Sequence, residues 1–194
     1  MDAYCHDSPA GDDNSTIFKL VKPQVLLADD DQTVLEFVTI VLYEYMGCDV
    51  HSATNGKEAL ELVKAVRARG EYFDLYFTDV VMPQMSGLEF LLHIEDRDYD
   101  RVTPAVVFTG YAHDEDQKKA VTRARPVSFI VKPLRVTEIQ RAVYEALAYS
   151  PNLSRLVPYF SSRMAELDEL GMPHVYRKAL GLRCEDGGAD GALR

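Results

Sequence analysis

Five times between residues 24 and 149, a short apolar run gives way to a longer stretch whose apolar residues recur three and four apart. "QVLLADDD" opens the series with four apolar residues ending in acids, the pattern of a strand buried on both faces. "QTVLEFVTIVLYEYMG" follows, with Val34, Leu35, Phe37, Val38, Val41, Leu42 and Tyr45 at helical spacing. Thr33 and Glu36 form a capping-box pattern there, Asp31 is the residue nearest the cap, and Gly47 is the stop. The alternation continues through "CDVHSA", "GKEALELVKAVRARG", "DLYFTD", "SGLEFLLHIE", "AVVFTG", "DEDQKKAVTRA", "SFIVKP" and "VTEIQRAVYEALAY". Five βα units predict an α/β fold, a five-stranded parallel sheet doubly wound with helices on both faces.

The flanks differ from this centre. Residues 1–21, rich in Asp, Asn, Ser, Pro and Gly, read as a flexible N-terminal arm, and residues 22–149 hold the α/β domain. Residues 150–194 form an extension in which Pro158, Gly171, Pro173 and Gly181 punctuate two short helices, near 159–170 and 174–180, before a disordered Gly-rich end. Such pieces cannot bury a core of their own. Leu153, Leu156, Val157, Phe160, Met164 and Leu167 recur three or four apart, which favours docking on the domain or on a partner over a dimer zipper.

Charge and composition narrow the function. The net charge is −10, and residues 150–194 carry equal numbers of basic and acidic side chains, so the acidic excess belongs to the first 149 residues. Direct DNA binding is not expected from such a surface. No apolar run is long enough to span a bilayer and the first residues lack the blocks of a signal peptide, so a cytoplasmic protein is expected. Cys5, Cys48 and Cys184 lie far apart without metal-ligand spacing and read as reduced bystanders. Tyr43, Tyr45, Tyr144 and Tyr149 sit at helical spacings and read as packing residues.

In an open parallel sheet, chemistry collects just beyond the carboxyl ends of the strands. There the sequence sets Asp29, Asp30 and Asp31 after the first strand, Asp79 after the third, Thr109 after the fourth and Lys132 after the fifth. Carboxylates crowded on one edge repel unless a cation neutralises them, and oxygen donors select a hard ion such as Mg²⁺. Asp29 and Asp30 fit as ligands, with Asp79 as a third ligand and an aspartyl nucleophile for a phosphoryl group. Lys132 and the Thr109 hydroxyl would hold the phosphoryl oxygens, and Pro133 restricts the lysine backbone to an extended form. Taken alone, the acidic triplet reads equally as a solvated turn and Asp79 as a turn former. The order acid pair, Asp, Thr, Lys-Pro on successive strand ends is what singles out phosphoryl transfer.

"LLADDD", "FTDVVMPQMSGLEF", "VVFTG" and "FIVKP" together resemble the receiver domain of the two-component response regulator family, a flavodoxin-like fold, over about residues 22–149. The resemblance implies Asp79 as phospho-acceptor, and Asp29, Asp30 and Asp79 with the Val81 carbonyl as Mg²⁺ ligands. It further implies Thr109 and Lys132 as phosphoryl contacts, Thr109 and Phe129 as the switch pair, and Val81 and Tyr111 as gatekeepers of water. A histidine kinase or histidine phosphotransfer protein would be the donor, an unidentified protein the downstream target, and a second copy of the chain a further candidate partner. On this reading the chain is a switch, not a turnover enzyme. Two departures stand out: Ser86 where many receivers have Asp, and Arg125-Pro126 where a small Gly-Ala pair is common, which bears on the family's usual partner surface.

Two alternatives remain. "DDDQT" satisfies the pattern of haloacid dehalogenase-like phosphatases, with Asp29 as nucleophile and Asp31 as acid/base, but the later acidic pair is missing and Asp79-Val80-Val81-Met82-Pro83 is left without a role. A receiver-shaped binding module that works without phosphorylation would not need every one of the phosphorylation residues.

Overall fold

The computed structural model describes residues 21–96, 102–110 and 126–182. Within them the strands are β1 (Gln24–Ala28), β2 (Asp49–Ala53), β3 (Leu75–Asp79), β4 (Ala105–Thr109) and β5 (Ser128–Val131). All pair in parallel in the order β2-β1-β3-β4-β5, with Val25 opposite both Val50 and Leu75, and Asp79 opposite Phe108. The strand order reverses beside β1, so the carboxyl ends of β1 and β3 flank the crevice where such sheets bind ligands.

The helices are α1 (Gln32–Ile40), α2 (Gly56–Arg67), α3 (Gly87–Asp96), α4 (Val136–Leu147), α5 (Leu153–Ser162), α6 (Met164–Glu169) and α7 (Pro173–Ala179). The helix expected over "DEDQKKAVTRA" lies outside the described residues. Alternation along each strand divides the core. Val25, Leu27, Leu75, Phe77, Val106 and Phe108 face α1 and α4, while Leu26, Ala28, Tyr76 and Val107 face α2 and α3. Caps fix the helix starts. Asp31 accepts the Thr33 N–H at 2.8 Å, which places Thr33 inside the first turn, so Asp31 and not a Thr33–Glu36 box begins α1. Asn55 accepts the Lys57 and Glu58 N–H groups, each at 3.0 Å.

α1 ends in a widened π turn over Val41–Tyr45, and Gly47 at φ 68° turns the chain into β2. The outer face of α1 remains in water: Tyr43 and Tyr45 are exposed, as is Tyr149 after α4, so only Tyr144 of the four tyrosines read as packing residues is buried. Helical spacing alone cannot tell an inner face from an outer one when a tyrosine lies on each.

The extension forms three helices. α5 begins at Leu153, with Pro158 inside it rather than before it. The proline forfeits one helical N–H bond, but burial of Leu156, Tyr159 and Phe160 on the domain holds the turn. Those residues, with Leu167, Val175 and Tyr176, join the same core as Leu42, Met46, Tyr144 and Leu147. Polar anchors surround this contact. Tyr159 donates to the Met46 carbonyl at 3.0 Å, Arg163 to the Tyr45 carbonyl at 2.8 Å, and Arg141 of α4 to the Leu170 carbonyl at 2.9 Å. The two carbonyls at the end of α1 are thus capped from the extension.

Asp74, wholly buried just before β3, is the deepest anchor. It accepts the Gln24 N–H at 2.7 Å, the Ser150 hydroxyl at 2.8 Å and the Asn152 amide at 2.9 Å, and pairs with Arg155. An Asp preceding an apolar strand reads in sequence as a turn residue, and its side-chain partners lie more than seventy positions away. Asp74→Ala leaves those donors without an acceptor and is expected to cost about 3–5 kcal/mol. Asp74→Asn, which keeps one acceptor oxygen, should cost less. Thermal melts of the two variants beside the natural protein check the order.

Candidate functional site

The carboxyl ends of β1, β3 and β5 bring three predicted side chains together. The Lys132 ammonium lies 2.9 Å from Asp29 Oδ2 and 2.9 Å from Asp79 Oδ1, so one cation bridges two carboxylates. The remaining oxygens are held by backbone. Asp29 Oδ1 accepts the Asp31 N–H at 2.7 Å, and Asp79 Oδ2 accepts the Val81 N–H at 2.8 Å. Thr109 is buried at the end of β4, and its carbonyl accepts the Lys132 N–H at 2.8 Å, which ties β5 to β4 beside the site. The Lys132–Pro133 peptide is cis.

Electrostatics follow from depth. Burial pushes the Asp79 carboxyl above the ordinary carboxylate range, although the Lys132 ammonium and the Val81 N–H pull the other way. For Lys132, burial works against the charge, but the bonds to Asp29 and Asp79 outweigh it and raise the ammonium pKa further. The lysine stays charged at neutral pH.

Other predicted residues are placed differently. Asp30 is exposed next to Asp29, and among the described residues no three acidic, His or Cys side chains are grouped closely enough to hold a metal as they stand. The donor set still suits Mg²⁺. Asp29 and Asp79 converge on one cation position, Asp30 adjoins them, and all the atoms are hard oxygens. Val81 is 45 % exposed at the mouth of the site. Phe129 is 40 % exposed and is not a core residue. Tyr111 lies outside the described residues.

Sequence reasoning missed the supports beneath Asp79. Gly87 opens α3 directly under Asp79: a methyl group built on it would stand 1.9 Å from the Asp79 carbonyl oxygen and 2.5 Å from Thr78 Oγ1. The buried Thr78 hydroxyl donates to that same carbonyl at 3.0 Å. Gly56 plays the matching part at α2, where its N–H donates to the Met85 carbonyl at 2.9 Å and a methyl group would meet that oxygen at 2.7 Å. The one available signal was a glycine heading each helical run, where a better helix former would otherwise serve. Between these supports the loop turns through Gln84 at φ 64° and buries Met82. Ser86 closes it with a capping box, accepting the Glu89 N–H at 3.1 Å while Glu89 accepts the Ser86 N–H at 2.8 Å.

Comparison with known proteins bears on this arrangement. The family model of the response regulator receiver domain matches residues 25–144. An uncharacterised 14.6 kDa protein of Leptolyngbya boryana is 31% identical over 134 residues, 69% of this chain and 97% of that protein. Response regulator protein PilR of Pseudomonas aeruginosa is 33% identical over 126 residues, 65% of this chain but 26% of its own length. Among solved structures, the chemotaxis protein CheY4 of Vibrio cholerae matches with a TM-score of 0.56 at 25% identity, over 65% of this chain and 99% of that one. No helix of the described residues is long and apolar enough to cross a membrane. With a parallel sheet of the flavodoxin order and a family match over most of the sheet and its helices, the chain belongs to the response regulator receiver domain family.

Proposed function

We propose that Asp79 is the phospho-acceptor of this receiver, on the observation that its carboxylate is buried, bridged to Asp29 by Lys132 and fixed by the Val81 N–H. A carboxylate held this way has one charged partner to spare for an incoming phosphoryl group. An Asp79 oxygen attacks phosphorus, the bond from phosphorus to the donor breaks, and the donor leaves with the electron pair. With a phosphohistidine donor, the freed imidazole nitrogen then takes a proton from water. Lys132 transfers its contact from the carboxylate to a phosphoryl oxygen, and the Thr109 hydroxyl is the second contact. Asp29, Asp30, Asp79 and the Val81 carbonyl would hold Mg²⁺, which neutralises the charge gathered on those oxygens.

A histidine kinase or histidine phosphotransfer protein is the donor on this reading, and the phosphorylated chain acts on a downstream protein as a switch and not as a turnover catalyst. Thr109 and Phe129 carry the change outward. A cytoplasmic setting suits the free thiol of Cys48. The phosphatase alternative loses ground on geometry: Asp31, its acid/base, caps a helix with its side chain on the Thr33 N–H. The test is incubation with acetyl phosphate in Mg²⁺ or in EDTA. One hydroxylamine-sensitive phosphoryl group per chain, formed only with Mg²⁺, is expected; a hydroxylamine-resistant label would point to another acceptor.

The lifetime of that label depends on water reaching phosphorus in line with its bond to Asp79. Val81 offers no hydrogen bond to orient a water, and Tyr111 is bulky, so slow loss is expected. In a Val81→Asn, Tyr111→Glu double variant the label should decay about tenfold faster or more once the donor is removed. Equal decay in the two chains would show that these side chains do not control water.

A further inference from the structure

Between the loop that follows α2 and the start of α5 lies an open cavity of about 500 Å³, within the size range of small-molecule sites. It sits at the amino ends of β1 and β3, at the opposite end of β3 from Asp79, and shares no residue with the phosphorylation site. The domain gives it the polar groups of His51, Arg69 and Glu71 and the apolar side chains of Val66 and Phe73. The extension gives it Asn152 and Arg155. The receiver family match ends at Tyr144, so these last two groups lie beyond it.

Two of these side chains are oriented from behind so that an acceptor is left over. Asp49 accepts the Gln24 amide N–H at 2.9 Å, which leaves Gln24 Oε1 to accept from His51 Nε2 at 2.9 Å. The neutral His51 ring therefore carries its proton on Nε2 and keeps the Nδ1 lone pair, which no other described group meets. Asp74 accepts the Asn152 amide N–H at 2.9 Å, and Asn152 Oδ1 is left without a donor among the described residues. The cations are engaged only in part. Arg155 pairs with Asp74 and donates to the Lys22 carbonyl at 3.3 Å. Arg69 donates to Glu71 at 3.1 Å and to the Ala65 carbonyl at 3.2 Å. Each guanidinium retains unused N–H groups.

We propose that this cavity is a binding site for a free α-amino acid with an apolar side chain. The lining mixes two guanidinium groups with one carboxylate. A simple anion would set its charge against Glu71, and a simple cation against the arginines. A zwitterion meets both signs. Its carboxylate takes the spare N–H groups of Arg69 and Arg155. Its ammonium, a donor three times over and never an acceptor, takes Glu71, Asn152 Oδ1 and His51 Nδ1. Val66 and Phe73 are left for the side chain.

The test is a chemical-shift titration of the full chain with L-leucine and with L-phenylalanine. Each is set beside the acid that lacks its ammonium (4-methylpentanoate, 3-phenylpropionate) and the amine that lacks its carboxylate (3-methylbutylamine, 2-phenylethylamine). At least one amino acid is expected to bind with a Kd of about 1 mM or below, and about tenfold or more tighter than both of its halves. Glu71→Gln and Arg69→Gln, both at exposed side chains, should each weaken it about tenfold. Arg155→Lys, which keeps a cation for Asp74 but loses the fork, should do the same. Saturation by neither amino acid overturns the proposal, as does a half that binds as tightly as its parent. An affinity unchanged in any variant that keeps its fold overturns it too, because the amino acid would then sit elsewhere. If Arg155→Lys loses its far-UV circular dichroism, the variants at Arg69 and Glu71 decide.

Discussion

An Asp79→Asn chain is expected to take up no phosphoryl label and yet to melt at a higher temperature than the natural protein in metal-free buffer at neutral pH. Loss of label follows from chemistry, since the amide has no anionic oxygen to attack phosphorus. Gain of stability follows from the position of the carboxyl. Burial raises its pKa against the pull of Lys132 and the Val81 N–H. A group whose folded pKa is raised binds its proton more readily in the folded state than in the unfolded one. Its ionisation therefore costs stability above that pKa, and the loss is recovered as pH falls through it. Asparagine is neutral throughout and avoids the cost, so the gap between the two melting curves should close as the pH is lowered into the raised carboxylate range. Mg²⁺ should reverse the order by binding the folded natural protein more tightly than the variant. A variant that melts below the natural protein in EDTA would mean that the Lys132 bridge outweighs burial.

Gly87→Ala is expected to be the most damaging small substitution near the site. Its methyl group would lie 1.9 Å from the Asp79 carbonyl oxygen and 3.1 Å from the carbonyl carbon, both backbone atoms that cannot swing aside. Either α3 moves away from β3 or the Asp79 peptide tilts. The first costs packing of Leu88, Phe90 and Leu91, all buried in the core on that face. About 3 kcal/mol or more of lost stability is expected from such overpacking. The second turns the carboxylate away from Lys132, and a displacement near 1 Å lowers the labelling rate by about 100-fold. Denaturant melts and labelling time courses separate the two. A variant matching the natural protein in both would show that the loop yields freely.

The strands and helices of the domain were legible because burial on two faces writes continuous apolar runs and burial on one face writes a helical period. The placing of residues on the edge was legible for a related reason: a parallel sheet delivers the residue after each strand to one side, so Asp29, Asp79, Thr109 and Lys132 could be gathered without coordinates. What escaped was set by contacts distant in sequence or by the absence of a side chain. Asp74 has its meaning only through Ser150, Asn152 and Arg155. Gly56 and Gly87 matter for the atom they lack. The start of α5 was misjudged at Pro158, since a proline is a reliable stop only where tertiary burial does not outweigh one missing bond. Asp30, grouped with Asp29 by adjacency, lies exposed beside it.

The extension packed on the domain also dictates an order of assembly during synthesis. Tyr159 reaches its Met46 carbonyl across 113 residues, Arg155 reaches the Lys22 carbonyl across 133, and Asn152 reaches Asp74 across 78. Contacts so far apart in sequence close late, and the residues that make them leave the ribosome after all five strands. The βα units can pair as they emerge, but the amino ends of β1 and β3 wait with a buried acid unsatisfied and an apolar patch in water. Newly made chains of this protein therefore pass through an interval in which they can stick to one another, and its length includes the translation of residues 150–182. Slowing translation there should lower the soluble yield, and supplying a chaperone that holds exposed apolar surface should restore it.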